Sequence, residues 1–422
     1  MLRVVVLASL VALAGCHRQA DAPGDAPSGL AVDPGDGQVT VRWNQQSGLT
    51  YWIFFQAGST VTAAATGVPL IFDAQSPRVV AGLANGTQYA FVMNATNQDS
   101  RAGPSTPVVL GFPRLAGAIW TPGAPIVGSV PRNLNGVAFG TARLVAVGDS
   151  GSIFSGDYNY TNASPPGVTA WTPASVPLGF ASDLSAVIYT GQFVALGTNG
   201  SVLTSADGNT WTSTSATPPA PSIATNGATM NGLALGIVSG AARYVAVGTA
   251  VGGAGSIFTS ADLITWTQTS NTPNALFSVS FLNGTFVATG ASGTLLTSAD
   301  ASTWTAQTIA ANTLRKAAFG AGSAGARYVV VGDAGTILTS PDGTNWSPSN
   351  PASLSQGLRN ITFGSRFVAV GQGEIVAYSD DGTNWQLSSV VDPAGPADLS
   401  AVIFTPAMYV AVGTSGANAV SK

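Results

Sequence analysis

Residues 184–212 contain one copy of a repeated pattern, which reads Leu184-Ser-Ala-Val-Ile-Tyr189, Phe193-Val-Ala-Leu-Gly197, Ser201-Val-Leu-Thr-Ser-Ala-Asp-Gly208 and Thr210-Trp211-Thr212. The glycine that closes the second segment recurs at Gly148, Gly197, Gly248, Gly290, Gly332, Gly371 and Gly413. Most copies are about 42 residues apart, a spacing typical of four short strands with their turns. No segment has a helical period of useful length. Each copy therefore predicts a four-stranded antiparallel sheet.

The tryptophans of the repeat indicate how the copies close into a ring. They occur at Trp120, Trp171, Trp211, Trp266, Trp304, Trp346 and Trp385. The first tryptophan precedes the first glycine, and no tryptophan follows Gly413. We therefore expect Ile119-Trp120-Thr121 to supply the outer strand of the last sheet, which leaves no free sheet edge. Residues 114–422 are predicted to form a seven-bladed β-propeller closed by this 3+1 strand clasp.

A smaller all-β region precedes the repeat. Val39, Val41 and Trp43 alternate with polar residues, a period typical of a strand with one buried face. The segment Leu83-Ala-Asn-Gly-Thr-Gln-Tyr89 resembles the tyrosine corner of the fibronectin type III family. The resemblance implies a β-sandwich over residues 27–113, so the fold class is all-β throughout.

Two aromatic residues of this region allow two interpretations. Tyr51, Ile53 and Phe55 are expected to take the inward face of their strand, which leaves Trp52 and Phe54 on the other face. These two side chains either pack on the neighbouring domain or close the sheet, or they form an aromatic platform for a partner or a glycan.

Composition excludes several classes of function. The chain has 422 residues, of which 8% are charged, and its 15 Lys plus Arg stand against 19 Asp plus Glu. It therefore has no basic stripe for nucleic acid. The single His17 and the single Cys16 exclude a zinc site, a nucleophile paired with histidine and an intramolecular disulfide. We expect no metal and no cofactor.

The N-terminus carries an export signal. Arg3 precedes an apolar stretch, from Val4 to Leu13, that is too short to span a bilayer. The following Leu13-Ala-Gly-Cys16 resembles the bacterial lipobox, which implies a signal peptide over residues 1–15 and a lipid anchor on Cys16. Residues 16–26 form a Pro- and Ala-containing tether. The expected location is the bacterial cell envelope, with the outer membrane as the destination where the host has one.

A Ser-x-Asp-x-x-x-Trp motif lies between the third and fourth strands of the repeat. Its five complete copies are Ser205, Asp207 and Trp211; Ser260, Asp262 and Trp266; Ser298, Asp300 and Trp304; Ser340, Asp342 and Trp346; and Ser379, Asp381 and Trp385. The motif resembles the Asp box, or BNR repeat, of sialidase-like propellers and of the photosystem II assembly-factor family. Its expected role is structural, because a carboxylate and a hydroxyl can hold the backbone of a tight hairpin.

Charged residues concentrate at the loop face of two adjacent blades. The pattern places Arg315, Lys316 and Arg359 where blades five and six begin, and Asp333 and Glu374 in the loops after their second strands. They are either solvated loop tips that pair with one another or a mixed-charge rim at the channel mouth. Such a rim would recognise a carboxylate or a peptide terminus through arginine.

A comparison with sialidase-like catalysis argues against an enzyme. The family's Arg-Ile-Pro element is absent, and Glu374 is the only glutamate. We expect a non-catalytic binding or assembly scaffold that recognises an extracytoplasmic protein or glycan. The alternative is a glycan-active hydrolase of the sialidase-like propeller type, for which Asp333 and Glu374 are the available carboxylates. A purely structural envelope protein is a third possibility.

Overall fold

The computed structural model describes residues 21–63, 67–97, 101–126, 132–159, 167–168, 170–215, 222–390, 396–406 and 408–421. Residues 1–15, which are expected to form a signal peptide, and Cys16 lie outside these residues. Regular structure in the described ranges consists of β-strands and three short 3₁₀ turns, at Asp149–Gly151, Gln372–Glu374 and Thr414–Gly416. None of the helical segments described is long and apolar enough to cross a membrane.

Seven strands precede the repeat. They are β1 (Ala31–Gly35), β2 (Gln38–Arg42), β3 (Leu49–Ala57), β4 (Leu70–Ala74), β5 (Arg78–Ala81), β6 (Tyr89–Asn97) and β7 (Val109–Gly111). One sheet has the order β1-β2-β5 and the other the order β4-β3-β6-β7. Tyr51, Ile53, Phe91 and Met93 are fully buried on one face of the second sheet because their alternate positions point the same way.

The chain divides into two compact units. Of the described residues, the first comprises those in 21–33, 41–78 and 87–112, and the second comprises those in 34–40, 79–86 and 113–421. The second unit contains all the sheets of the repeat.

The strands of the repeat are, in chain order, β8 (Thr121–Pro122), β9 (Leu134–Gly140), β10 (Arg143–Gly148), β11 (Ile153–Asn159), β12 (Gly167–Val168), β13 (Thr172–Pro173), β14 (Leu184–Tyr189), β15 (Phe193–Gly197), β16 (Val202–Ser205), β17 (Thr212–Ser213), β18 (Thr229–Val238), β19 (Ala241–Thr249), β20 (Gly255–Ser260), β21 (Thr267–Thr272), β22 (Leu276–Leu282), β23 (Thr285–Gly290), β24 (Thr294–Ser298), β25 (Thr305–Thr308), β26 (Leu314–Gly322), β27 (Gly325–Gly332), β28 (Ile337–Ser340), β29 (Ser347–Pro348), β30 (Leu358–Phe363), β31 (Phe367–Gly371), β32 (Ile375–Ser379), β33 (Gln386–Ser389), β34 (Leu399–Phe404), β35 (Tyr409–Gly413) and β36 (Asn418–Ser421).

In the described part of the chain these strands form seven antiparallel sheets. Five have four consecutive strands, the sheet of β9–β13 has five strands, and the last has the order β34-β35-β36-β8. The first strand of each sheet, here called its inner strand, contacts the inner strand of the next sheet. The inner strands are β9, β14, β18, β22, β26, β30 and β34, and β34 contacts β9 again, so the ring is closed.

The buried part of the second strand is apolar on both faces in six of the seven sheets, because each sheet packs between two others; in β23 it includes the polar Thr289. In β31, Phe367 and Ala369 join one buried cluster, whereas Val368 and Val370 join the next. Alternate side chains of one strand thus fill two separate inter-sheet cores. This explains why the Phe-Val-Ala-Val-Gly segment lacks polar positions.

The five Ser-x-Asp turns share the hydrogen bonds to the aspartate, represented here by the turn at Asp207, and four of them also have the indole bond, which Trp385 lacks. Its Oδ1 accepts the N–H groups of Asn209 and Thr210 at 2.8 and 2.9 Å, and it accepts the Ser205 hydroxyl at 3.0 Å. The Trp211 indole donates to the Gly208 carbonyl at 3.0 Å. The N–H bonds lower the pKa of the Asp207 carboxyl, because they stabilise its charged form. These contacts are local, so the turn is held without any ligand.

The last sheet joins the two ends of the repeat. β8 pairs with β36, with Val420 opposite Thr121. Ser421 Oγ accepts the Gly117 N–H at 2.7 Å. Trp120 is 4% exposed and packs in the core between the last two sheets, whereas the adjacent Ile119 is 52% exposed. The strand begins two residues later than the Ile119–Thr121 segment expected from sequence and ends one residue later, and Trp120 instead forms an isolated bridge with Val390.

The clasp leads to a stability prediction. Trp120→Ala removes a large side chain from the core that joins the two ends of the ring, and it should lower the free energy of unfolding by about 3–5 kcal/mol. Ile119→Ala is the matched control and should change stability by less than about 0.5 kcal/mol, since the side chain is largely exposed. Chemical denaturation of both variants measures this difference. Equal stability of the two variants would contradict the role of the clasp.

Candidate functional site

A β-bulge lies at the start of every inner strand. In β26, Leu314 is opposite Gly332 and Lys316 is opposite Val331. Arg315 is therefore an extra residue that lies opposite no residue of β27. The same shift occurs in the other six inner strands. A bulge interrupts the alternation of side chains, and consecutive residues can then point to the same side. The bulges therefore change which residues line the centre of the ring.

The recurring glycine makes this bulge possible. The N–H of Asp333 donates to the Thr313 carbonyl at 2.9 Å and draws the two strands together beside Gly332. A Cβ on Gly332 would collide with that carbonyl oxygen. The same collision would occur at five of the other repeat glycines, where the carbonyl belongs to the residue that precedes the first buried residue of the inner strand. They are Gly148, Gly248, Gly290, Gly371 and Gly413.

A cavity of about 390 Å³, here called the channel cavity, lies where the seven bulges meet. The bulge residues line it together with the residues that follow them. The bulge residues are Asn135, Ser185, Asn231, Phe277, Arg315, Arg359 and Ser400, and the following residues are Gly136, Ala186, Gly232, Ser278, Lys316, Asn360 and Ala401. All seven inner strands thus contribute two consecutive positions to one cavity.

Arg315 is held in place by two side chains, those of Asp333 and Phe277. Its Nε and one terminal nitrogen donate to the two oxygens of Asp333 at 2.8 and 2.7 Å. Its guanidinium carbon lies 4.8 Å from the ring centre of Phe277, the bulge residue of the preceding sheet. The bidentate ion pair and the cation–π contact fix the direction of the guanidinium.

Arg359 is less constrained. Its closest carboxylate is Asp398, at 3.8 Å, and both side chains are partly exposed. Asp398 also accepts the Gly373 N–H at 3.0 Å and lines the cavity. Sequence reasoning missed Asp398. Its position immediately before Leu399, the first residue of an inner strand, is the signal that could have found it.

Lys316 differs from both arginines. Within the described residues it has no ion-pair or hydrogen-bond partner. Burial lowers the pKa of its ammonium from 10.5 to about 8, because desolvation disfavours the charged form. Charge at the cavity is therefore uneven, since each arginine faces an aspartate whereas Lys316 faces none.

The structure changes the expected positions of the rim residues. Arg315, Lys316 and Arg359 were expected in loops, but they belong to β26 and β30, because the bulges turn these strand residues inward. Asp333 reaches the site only through Arg315. Glu374 is 5% exposed in a 3₁₀ turn and is not among the residues that line the cavity. The proposed five-residue rim is thus replaced by two Arg–Asp pairs and Lys316.

The aromatic pair of the first unit also needs correction. Phe54 is only 7% exposed and packs with Val61, so it is not available as part of a platform. Trp52 is half-buried, and its ring lies 4.7 Å from that of Phe72 in an edge-on arrangement. Phe72 is 60% exposed and was missed because its strand carries no clear alternation.

In the described part of the chain, no three His, Cys, Asp or Glu side chains lie close enough together to hold a metal ion. The channel cavity instead offers cations, amides and hydroxyls. Such groups suit the binding of an anion or a polar chain terminus.

Comparison with known proteins identifies the fold. No protein-family model and no curated protein matches the sequence. The WD40 β-propeller domain of Doa1 matches over 72% of this chain and 97% of its own, with a TM-score of 0.54 and 11% identity. The fold is a β-propeller.

Two further structures are similar over the same share of this chain. A catalytically inactive virginiamycin B lyase from Staphylococcus aureus, solved with quinupristin, matches over 72% of this chain and 99% of its own, with a TM-score of 0.56 and 9% identity. YCF48 from Cyanidioschyzon merolae matches over 72% and 98%, with a TM-score of 0.47 and 16% identity. At 9% identity the likeness to the lyase shows the propeller fold alone.

Proposed function

We propose that this protein is a non-catalytic binding or assembly scaffold whose seven-bladed propeller recognises an extracytoplasmic protein at the mouth of the channel cavity. The observation that carries the proposal is the pairing of Arg315 with Asp333 and of Arg359 with Asp398 around one cavity. Only 8% of the chain is charged, so four charged side chains at one opening are a strong concentration. Propeller structures similar to this one include the WD40 domain of Doa1.

The ion pairs suit exchange with a partner. Both pairs are partly exposed, and an exposed pair contributes little stability, so a partner can replace either aspartate at low cost. Arg359 is the freer cation because Asp398 is 3.8 Å away, whereas Arg315 is bound to Asp333 through two of its nitrogens. A side-chain carboxylate of the partner would therefore engage Arg359 first, and the Arg315–Asp333 pair would orient that carboxylate.

The rest of the chain fits a role at the cell envelope. We include in the proposal a lipid anchor on Cys16, a tether over residues 16–26 and a fibronectin type III-like sandwich over residues 27–113. The tether would hold the propeller away from the outer membrane while a partner binds. The supporting observation is that Cys16 is the only cysteine and directly follows the apolar export signal.

A glycan-active hydrolase is the alternative. Its two carboxylates would be Asp333 and Glu374, which must flank a glycosidic bond. Both oxygens of Asp333 already accept hydrogen bonds from Arg315, and the Glu374 side chain is buried. These contacts favour the scaffold. Recognition of a glycan without hydrolysis would use the aromatic pair of the half-buried Trp52 and the exposed Phe72.

The binding proposal predicts the effect of losing both arginines. Arg315→Ala with Arg359→Ala should weaken binding of an isolated envelope partner about 5- to 30-fold, as expected for two partly exposed charge-assisted contacts. The matched control is Arg42→Ala with Arg143→Ala, which also removes two aspartate-paired arginines. Partner binding is measured by calorimetry, and melting curves verify folding.

Two results would contradict the scaffold proposal. One is an equal loss of partner affinity in the control variant, because the effect would then follow from net charge alone. The other is hydrolysis of a glycan that is abolished by Glu374→Gln, which would place the protein among enzymes.

The anchor predicts a change in location. Cys16→Ser should release the protein from the membrane fraction, since one lipidated residue is proposed as its only membrane attachment. Cell fractionation and metabolic labelling with a fatty acid measure this change. Full membrane association of the variant, together with absence of label in the parent protein, would contradict the anchor.

A further inference from the structure

The Lys316 ammonium is a cation without a counterion in the channel cavity. The described residues contain no other lysine. No described residue forms an ion pair or a hydrogen bond with the Lys316 side chain. The two carboxylates closest to the arginines, Asp333 and Asp398, are already engaged by those arginines. A partly desolvated charge of this kind is costly unless it is paired, so the site favours an incoming anion.

Asn360 provides a second unpaired group. Its Oδ1 atom is buried and has no hydrogen-bond partner. Such an atom carries an energetic penalty that a donor from a ligand can relieve. Asn360 lines the same cavity as Lys316.

The ring geometry places the two residues side by side. Residues that follow the bulge are neighbours across adjacent inner strands: a Cβ on Gly136 would lie 3.4 Å from Ala186 Cα, and one on Gly232 would lie 2.9 Å from Ser278 Cα. Lys316 and Asn360 occupy this same position in β26 and β30, which are also adjacent.

The other five positions of this kind leave room for a ligand. These positions are occupied only by Gly, Ala or Ser. Because these residues are small, they leave the centre of the ring open beside Lys316 and Asn360. A volume of about 390 Å³ is in the usual range of small-molecule pockets.

We propose that the channel cavity binds a carboxylate whose adjacent carbon bears an N–H or O–H donor, with the carboxylate on Lys316 Nζ and the donor on Asn360 Oδ1. One unpaired positive charge matches a monoanion better than a phosphate dianion. A polypeptide C-terminus and a 2-hydroxy acid both have this chemistry. The first source deepens the proposed function and rests on it, whereas the second does not depend on a protein partner.

Calorimetry with four small probes on the full chain tests the proposal. N-acetyl-L-alanine represents a C-terminus, and L-lactate represents a 2-hydroxy acid. Propionate retains the carboxylate without the donor, and N-acetyl-L-alaninamide retains the donor without the carboxylate. We expect at least one of the first two to bind at least fivefold more tightly than propionate, and no binding of the amide. Tighter binding of N-acetyl-L-alanine assigns the peptide source, and tighter binding of L-lactate assigns the hydroxy acid.

Variants locate the site. Lys316→Met should weaken the best probe at least tenfold, whereas Lys422→Met, which removes the only other lysine of the chain, should leave it unchanged. Asn360→Leu should reduce the affinity for that probe to the affinity for propionate. Lys316→Gln serves as the second variant if the methionine variant does not fold.

The pH dependence adds an independent readout. The charged groups around Lys316 are Arg315 on its own strand and Arg359 on the next, with Asp333 and Asp398 as their partners. With its pKa at about 8, the ammonium is about tenfold less populated at pH 9 than at pH 7, and the probe should bind about tenfold more weakly.

Three results would overturn the proposal: no binding of either acid at 10 mM, equal binding of acid and amide, or unchanged binding in the folded Lys316→Met or Lys316→Gln variant. Failure of the partner assay with Arg315→Ala and Arg359→Ala, with the small-acid result intact, would overturn the protein partner and retain the carboxylate site.

Discussion

The close contact between a glycine and a carbonyl at the start of six of the seven inner strands determines most of what is distinctive in this propeller. Beside Gly332, the Thr313 carbonyl accepts the Asp333 N–H at 2.9 Å, and no side chain fits between the two strands. The tight approach is accompanied by a bulge, with Arg315 as the extra residue. The contact occurs in six of the seven sheets and the bulge in all seven, and two consecutive residues of every inner strand line the cavity.

This geometry determines the chemistry of the channel cavity. A regular strand would present only one residue of Arg315 and Lys316 to the centre, but the bulge presents both. The loops next to the inner strands then supply Asp333 and Asp398, which neutralise the two arginines. Lys316 has no carboxylate of its own among the described residues, and the cavity therefore retains one positive charge.

Sequence predicted the ring well because its determinants are local and repeated. The Phe-Val-Ala-Val-Gly segments and the Ser-x-Asp turns each specify one strand or hairpin, and similar propeller structures support the fold. The site was harder, since a bulge shifts side chains by one position without a residue type of its own. Arg315 and Arg359 were therefore expected in loops. Phe54 was expected on an open face, but Val61, from the irregular segment after β3, packs with it.

The pKa of Lys316 tests most directly whether the bulges turn this residue into the cavity without a counterion. It can be measured by NMR on protein reductively methylated with ¹³C, and the Lys316 signal is the one absent from Lys316→Met. The account predicts a pKa of about 8, because burial disfavours the ammonium, and unfolding stability should accordingly increase as pH rises from 8 towards 10.5. A Lys316 signal that titrates at the ordinary lysine value of about 10.4 would contradict the account.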